Sequence, residues 1–379
     1  MVTIAVTAEG HDEPRVAISP ETVKKLAALG CTVKVQSGAG LRSRFFDAQL
    51  AAQGATIVPT AAEALSGSDI LLAVRRPSNE SIAQLKAGAI VAAMADPYGD
   101  RAELDALAAT KASIFSMELI PRITRAQSMD VLSSQANLAG YKAVIDAAAM
   151  FEQALPMMNT AAGTVPAAKA FIMGVGVAGL QAIATARRLG AVVTATDVRP
   201  ATKEQVMSLN AKFVAVEDDE FKQAQTAAGY AKPMSPEYQA KQAELVSNHI
   251  KLQDIVITTA LIPGRPAPKL ITRAMIETMK PGAVIIDLAA ERGGNTELTK
   301  AGEIVDHNGV RISGLLNLAG KLPVNASSLY AKNLYNFLEP MFDKKEKTFK
   351  VNWEDEVIKG SLLAKDGALV HPSLAPKAA

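Results

Sequence analysis

Residues 174–179 read Gly174-Val175-Gly176-Val177-Ala178-Gly179. The apolar run 170–173 ahead of them reads as a strand, and 180–189 behind them reads as a helix. A second apolar run, 192–196, ends at Asp197, 18 residues after Gly179. Each part has a physical reason. Gly174 permits the tight turn, Gly176 lets a pyrophosphate approach the backbone, and Gly179 lets helix and strand pack closely. The start of the helix offers unpaired N–H groups and the positive end of its dipole to the phosphates. Strand, glycine turn, helix, strand and acid together read as a dinucleotide site of Rossmann type. Asp197 is expected to accept hydrogen bonds from the adenosine ribose hydroxyls and to repel a 2′-phosphate, which favours NAD over NADP. Arg199 works the other way, since a nearby arginine can accommodate that phosphate. A glycine turn with a helix-capping aspartate is the plainer alternative.

The same rhythm extends in both directions. After the turn, 213–216, 255–259 and 284–288 read as further strands. Before it, 3–6, 32–36, 56–58, 70–74 and 90–93 read as strands, with helices predicted at 20–29 and 81–85. Strands alternating with helices imply parallel sheets. An Ala-rich helix from about 134 to 155, broken by Pro156, reads as a connector between lobes. The apolar spacing at 329–338 predicts a helix that returns the chain to the first lobe, and 349–369 alternates well enough for a β-ribbon. The expected fold is therefore α/β, two Rossmann-like lobes with parallel sheets joined by long helices. The N-terminal lobe takes 1–133 and 325–379, and the nucleotide lobe 134–324. The polar stretch 217–241 lacks a clear period and reads either as a lid or as a solvated helix with a ragged end.

The composition agrees with a folded chain. Its 379 residues are 49% hydrophobic and 21% charged, with a net charge of +2. That length suggests two domains or three, and a charge so near zero removes the electrostatic argument for a nucleic-acid binder. Cys31 is the only cysteine, so no internal disulfide forms and a cytoplasmic location is expected. The longest uncharged run, 170–186, is 17 residues long and holds the three glycines of the turn, too short and broken for a span. The N-terminus has no basic flank and runs into charged residues, unlike a signal peptide. Any membrane connection is expected to come through partners. No metal site is expected.

An NAD site suggests a dehydrogenase, which usually needs a general acid or base. None of His11, His249, His307 and His371 has a neighbourhood that marks it as one. The segment 121–135 (PRITRAQSMDVLSSQ) gathers cations, amides, a carboxylate and hydroxyls. It could hold the carboxamide of a nicotinamide ring. Spacing alone favours a helix N-cap made by Asp130 or Ser133.

Taken together, 122–141, 160–166 (TAAGTVP), 174–179, Asp197-Val198-Arg199 and 258–264 (TTALIPG) resemble the NAD(H)-binding component of proton-translocating NAD(P) transhydrogenases, whose fold is like that of alanine dehydrogenase. The resemblance implies a dimeric peripheral subunit. It would bind NAD(H) and exchange hydride with NADP(H) held on a partner subunit, coupled to proton movement through membrane-spanning subunits. It would sit at the inner face of the cytoplasmic membrane. Carried over by position, Arg122, Gln127, Asp130 and Ser133 lie beside the nicotinamide. Val177 lies near the pyrophosphate, and Asp197, Val198 and Arg199 at the adenosine. Gly229, Gln242 and Leu261 line the remainder, while Tyr230 belongs to a loop that closes over the nucleotide. Hydride passing between two nicotinamides releases no proton, so no local acid or base is required.

Two other readings stay open. Arg15 resembles a carboxylate-binding arginine of alanine dehydrogenase. However, Arg75-Arg76 stand where that family has a lysine, no histidine falls near Met94-Ala95-Asp96, and Glu291 stands where it has an aspartate. An arginine does not give up a proton as an amine does. The third reading is a module that senses NAD without turnover.

Overall fold

The computed structural model describes residues 2–224 and 234–374. In chain order the strands are β1 (Thr3–Val6), β2 (Thr32–Gln36), β3 (Ala55–Val58), β4 (Ile70–Arg75), β5 (Ile90–Met94) and β6 (Ser113–Ser116). A hairpin follows, β7 (Met158–Thr160) and β8 (Gly163–Val165), and then β9 (Lys169–Met173), β10 (Val192–Thr196), β11 (Lys212–Phe213), β12 (Ile255–Thr258), β13 (Val284–Asp287), β14 (Ile304–His307) and β15 (Val310–Ser313). The last two are β16 (Leu362–Lys365) and β17 (Ala368–Leu369). The chain divides into two compact units, Met1–Gln135 with Ala319–Ala379, and Ala136–Leu318.

Unit 1 is built on an eight-stranded sheet ordered β17-β16-β6-β5-β4-β1-β2-β3. Strands β1 to β6 run parallel, and β16 and β17 add antiparallel at one edge. Central β4 is an unbroken apolar run with Ile70 to Val74 all buried, as a strand covered on both faces requires. The Pro20–Ala28 helix starts on a capping box: the Ser19 hydroxyl accepts from Thr22 N–H, and the Thr22 hydroxyl accepts from Ser19 N–H. The Pro323–Leu338 helix buries Tyr330, Leu334, Phe337 and Leu338 in the unit 1 core, so residues distant in sequence close this unit.

Unit 2 carries a seven-stranded sheet ordered β11-β10-β9-β12-β13-β15-β14, parallel except for β14. The order reverses between β9 and β12. In open α/β sheets the crevice outside the carboxyl ends of strands at such a reversal is where ligands bind. In unit 1 the reversal lies between β1 and β4.

Several expectations need correction. The strand predicted at 213–216 pairs only over Lys212–Phe213, because further along the Val216 N–H donates to the Gln242 side chain (3.0 Å) and leaves the ladder. The helix predicted at 134–155 spans Val131–Met150, since Asp130 caps it earlier. The helix predicted at 81–85 spans Asn79–Ile82, capped by Ser78. The ribbon predicted over 349–369 is interrupted by a helix at Glu356–Ser361, whose Asp355 cap accepts from Val357 and Ile358 N–H. Only β16 and β17 form the ribbon, joined by Asp366-Gly367, both at positive φ, the turn that a tight hairpin favours. Within 217–241, a short helix spans Asp219–Lys222 and a long one begins at Pro236. The Glu220 carboxylate binds both the N–H (2.5 Å) and the hydroxyl (2.6 Å) of Ser235.

Candidate nucleotide-binding site

The site starts where β9 ends. Gly174 sits at φ +98°, and its N–H donates to Thr196 O (2.9 Å) across to β10. From β12, Thr259 N–H donates to Met173 O (2.9 Å) and the Thr259 hydroxyl to Gly174 O (3.0 Å). The turn is thereby held from both neighbouring strands. A Cβ on Gly179 would lie 1.9 Å from Gly174 O, so only glycine lets the Val177–Arg188 helix approach this closely. On the outer side, a Cβ on Gly140 would lie 2.1 Å from Ala178 O, so the Val131–Met150 helix lies against the same first turn.

Gly176 differs. Its φ of −83° suits any residue, and a Cβ there would meet nothing within 4 Å. Nothing among the described residues requires glycine at 176; the space its missing side chain leaves is the cradle a pyrophosphate needs. No side chain caps this helix, which leaves its first-turn N–H groups to a ligand. On this ground the residues present fit a dinucleotide.

Asp197 follows β10. Its Oδ2 accepts from Val175 N–H (2.7 Å), tying the turn to the neighbouring strand. The same carboxylate is paired with Arg199, through the backbone N–H, Nε and Nη2, each at 2.9 Å. The Asp197 hydrogen bond outweighs burial and raises the Arg199 pKa above its usual value. Val177, Val198 and Leu261 follow β9, β10 and β12 and are 39%, 42% and 52% exposed, apolar surface at the ligand-facing edge of the sheet. Gln242 is a brace: its amide N–H donates to Thr196 Oγ1 (3.1 Å) and its carbonyl accepts from Val216 N–H. Gly229 and Tyr230 lie outside the described residues.

The expected nicotinamide residues belong to unit 1. Asp130 is the helix cap that spacing favoured: Oδ1 accepts from Ser133 N–H (2.9 Å) and Oδ2 from the Ser133 hydroxyl (2.5 Å). Just before it, the 3₁₀ turn Thr124–Met129 buries Ala126 and Met129 and leaves Gln127 exposed. Asn333 and Asn336 both donate to Ser128 O, and Arg125 pairs with Asp355 (2.8 Å), so this loop is firmly held. Arg122 is exposed at its start.

At the reversal between β1 and β4 lies a second polar cluster. Arg15 donates through Nε and Nη2 to Glu13 (both 2.7 Å) and through Nη1 to Gln135 (2.8 Å), and Arg75 Nε adds to Glu13 (2.8 Å). Burial opposes charge on Glu13, but the Arg15 hydrogen bonds and the two guanidinium charges outweigh it and bring its carboxyl down to about 2. Glu9 accepts from Val74 and Arg75 N–H, yet burial pushes its carboxyl up to about 7. The histidines have partners elsewhere: His249 contacts Thr194, His307 Glu277, His11 Asp12 and His371 Ser373.

Sequence reading missed Asn295. Its amide bridges Ala260, accepting from its N–H (3.0 Å) and donating to its carbonyl (2.9 Å), and donates also to Pro268 O (2.9 Å). Asp287, fully buried, accepts from Asn295 N–H (2.7 Å) and the Thr299 hydroxyl (2.6 Å). The run Gly293-Gly294-Asn295, two glycines before a side-chain amide, was the available signal.

Residues 5–139 match the family described as alanine dehydrogenase/PNT, N-terminal domain, and residues 143–372 its C-terminal domain. The chain is 54% identical over 367 residues to the first part of the NAD(P) transhydrogenase alpha subunit of Rhodospirillum rubrum, covering 96% of each chain. Among solved structures it is similar to a transhydrogenase from Sinorhizobium meliloti, with TM-score 0.88 and 56% identity over 97% of this chain and 100% of that one. An L-alanine dehydrogenase shares the fold, with TM-score 0.82 at 22% identity, covering 98% of each chain.

Proposed function

The chain belongs to the alanine dehydrogenase/PNT family, and from that premise we propose that it is the NAD(H)-binding subunit of a proton-translocating NAD(P) transhydrogenase. The observation that carries this reading is the glycine turn: the protein itself requires Gly174 and Gly179, while Gly176 opens on space that only a ligand uses. NAD(H), when bound, supplies the ring carbon that gives or takes the hydride, with NADP(H) on a partner subunit as the other reactant. Gly176 and Val177 take the pyrophosphate on the helix N-terminus, and Asp197, Val198 and Arg199 lie at the adenosine. Gln242 and Leu261 line the rest. Arg122, Gln127, Asp130 and Ser133 orient the nicotinamide and move no proton. Catalysis by this chain rests on placing a ring and excluding water from it.

Among the described residues no helix is long and apolar enough to cross a membrane. Membrane-spanning partner subunits supply proton translocation and hold this subunit at the inner face of the cytoplasmic membrane. A homodimer is part of the same reading. Among the described residues the β7–β8 hairpin pairs with no other strand, and Met157 and Met158 at its start are 63% and 42% exposed, apolar surface that suits a second copy.

The test mixes the purified protein with the NADP-binding component of a transhydrogenase and follows hydride exchange, with L-alanine plus NAD in parallel. Exchange only when both proteins are present supports the proposal. Alanine turnover by this chain alone overturns it in favour of a dehydrogenase, and NADH binding without either activity favours a sensor.

A further inference from the structure

The Asp197 carboxylate is saturated from within the protein. Oδ2 accepts from Val175 N–H and Arg199 Nη2, while Oδ1 accepts from Arg199 N–H and Arg199 Nε, all between 2.7 and 2.9 Å. An ionised carboxylate offers about four lone-pair positions. All are taken, two of them by one planar guanidinium laid on the carboxylate as a fork. The two backbone donors are fixed by the glycine turn and by the chain after β10. The guanidinium is different: it ends a flexible side chain that is 30% exposed, against 7% for Asp197. Its Nη2 also reaches Val175 O (3.2 Å), which closes the arginine over the edge of the turn. A ribose diol arriving at Asp197 brings two O–H donors and finds no vacant acceptor.

We propose that Arg199 is an internal ligand of the ribose seat: its guanidinium holds the acceptor positions that the 2′- and 3′-hydroxyls need, and it must leave Asp197 before a dinucleotide can bind. Arg199 then weakens NAD(H) binding and narrows the discrimination against a 2′-phosphate. While paired, the two side chains present no net charge to an approaching phosphate. Once displaced, the guanidinium stands free to meet one. Without Arg199, a bare carboxylate favours hydroxyls and repels phosphate. This proposal rests on the NAD(H) reading of the site, and its test separates the two.

The full chain, R199A and R199K are titrated with NADH and NADPH by fluorescence, and bound NADH is displaced with adenosine and 2′-deoxyadenosine. Adenosine is uncharged, so loss of a nearby cation cannot explain a change in its affinity. R199A is expected to bind NADH and adenosine about three- to tenfold tighter and NADPH about threefold or more weaker. The gain should shrink with 2′-deoxyadenosine, which lacks one of the two hydroxyls. R199K keeps the charge without the fork and should fall between, and it gives the same comparison if R199A does not fold. Equal or weaker adenosine binding by the variants overturns the proposal, as does a gain that is undiminished with 2′-deoxyadenosine, while wild-type binding of NADH still stands. Wild-type protein that binds no NADH overturns the dinucleotide reading and this proposal with it.

Discussion

The Asn295 side chain closes on both polar atoms of the Ala260 backbone, accepting from its N–H at 3.0 Å and donating to its carbonyl at 2.9 Å. This amide sets the path of the segment that carries Leu261 past the end of β12. Asn295→Asp keeps the shape and loses both donor bonds, to Ala260 O and Pro268 O. It should weaken NADH binding roughly tenfold, the worth of one well-placed hydrogen bond or somewhat more. Titration of the variant against wild type checks this, and unchanged affinity would show that the segment needs no such staple.

Gly176 and Gly179 should separate ligand binding from folding. Gly176→Ala meets nothing within 4 Å and is expected to shift stability by less than about 0.5 kcal/mol. NADH affinity should nonetheless fall at least about tenfold, because the methyl stands where pyrophosphate approaches. Gly179→Ala puts a carbon 1.9 Å from Gly174 O and should cost about 1–3 kcal/mol or more of stability. Chemical denaturation with NADH titration on both variants tests the contrast.

Glu13, buried, and Glu9, half-buried, act on the stability of unit 1 in opposite directions. Glu13, lowered to about 2 from 4.5, contributes stability that is present above pH 4.5 and lost as pH falls towards 2. Glu9, raised from 4.5 to about 7, binds its proton more tightly in the folded state, so stability falls as pH rises from 4.5 to about 7. Unfolding midpoints at pH 5, 6, 7 and 8 should therefore decline up to about pH 7 and level off by pH 8. The decline should flatten in Glu9→Gln, whatever that variant's absolute stability. An equal slope in the variant would remove Glu9 as its source.

Asp130→Ala should cost about 1 kcal/mol, the usual worth of an N-cap. On the proposed reading it should also lower hydride exchange with the partner far more than it lowers NADH affinity, because Asp130 orients a ring that other residues bind. Parallel measurement of exchange rate, NADH affinity and unfolding midpoint distinguishes a cap from a cap that also positions a ring.

The central parallel strands were the most legible part of the fold. β1, β2 and β10 occur where their apolar runs predicted, because each buries Val, Ile or Ala along at least one face of its sheet and that pattern is local to the strand. Edges and ends were less legible, because distant partners decide them. The Val216 N–H leaves its ladder for Gln242, 26 residues away, and no local pattern announces that. The Asp366-Gly367 turn did carry a local signal, masked by the apparent alternation of 349–369. At the site, the glycine spacing and Asp197 were legible from sequence. The Asn295 staple was not, since it depends on where loops from different strands meet, and the Arg199 fork was not, since a side-chain rotamer two residues from Asp197 leaves no pattern in the sequence.

That residues 319–374 complete the unit 1 sheet and core has a consequence for biosynthesis. Unit 2 is one unbroken stretch of chain, whose sheet is complete once β15 has been made. Unit 1 lacks Tyr330, Phe337 and the β16 edge until much later. As the chain leaves the ribosome, unit 1 can gain its final sheet edge and core only after all of unit 2 has been made. The unit begun first is thus the one completed last, and until then the strands β1 to β6 lack the helix that covers their core.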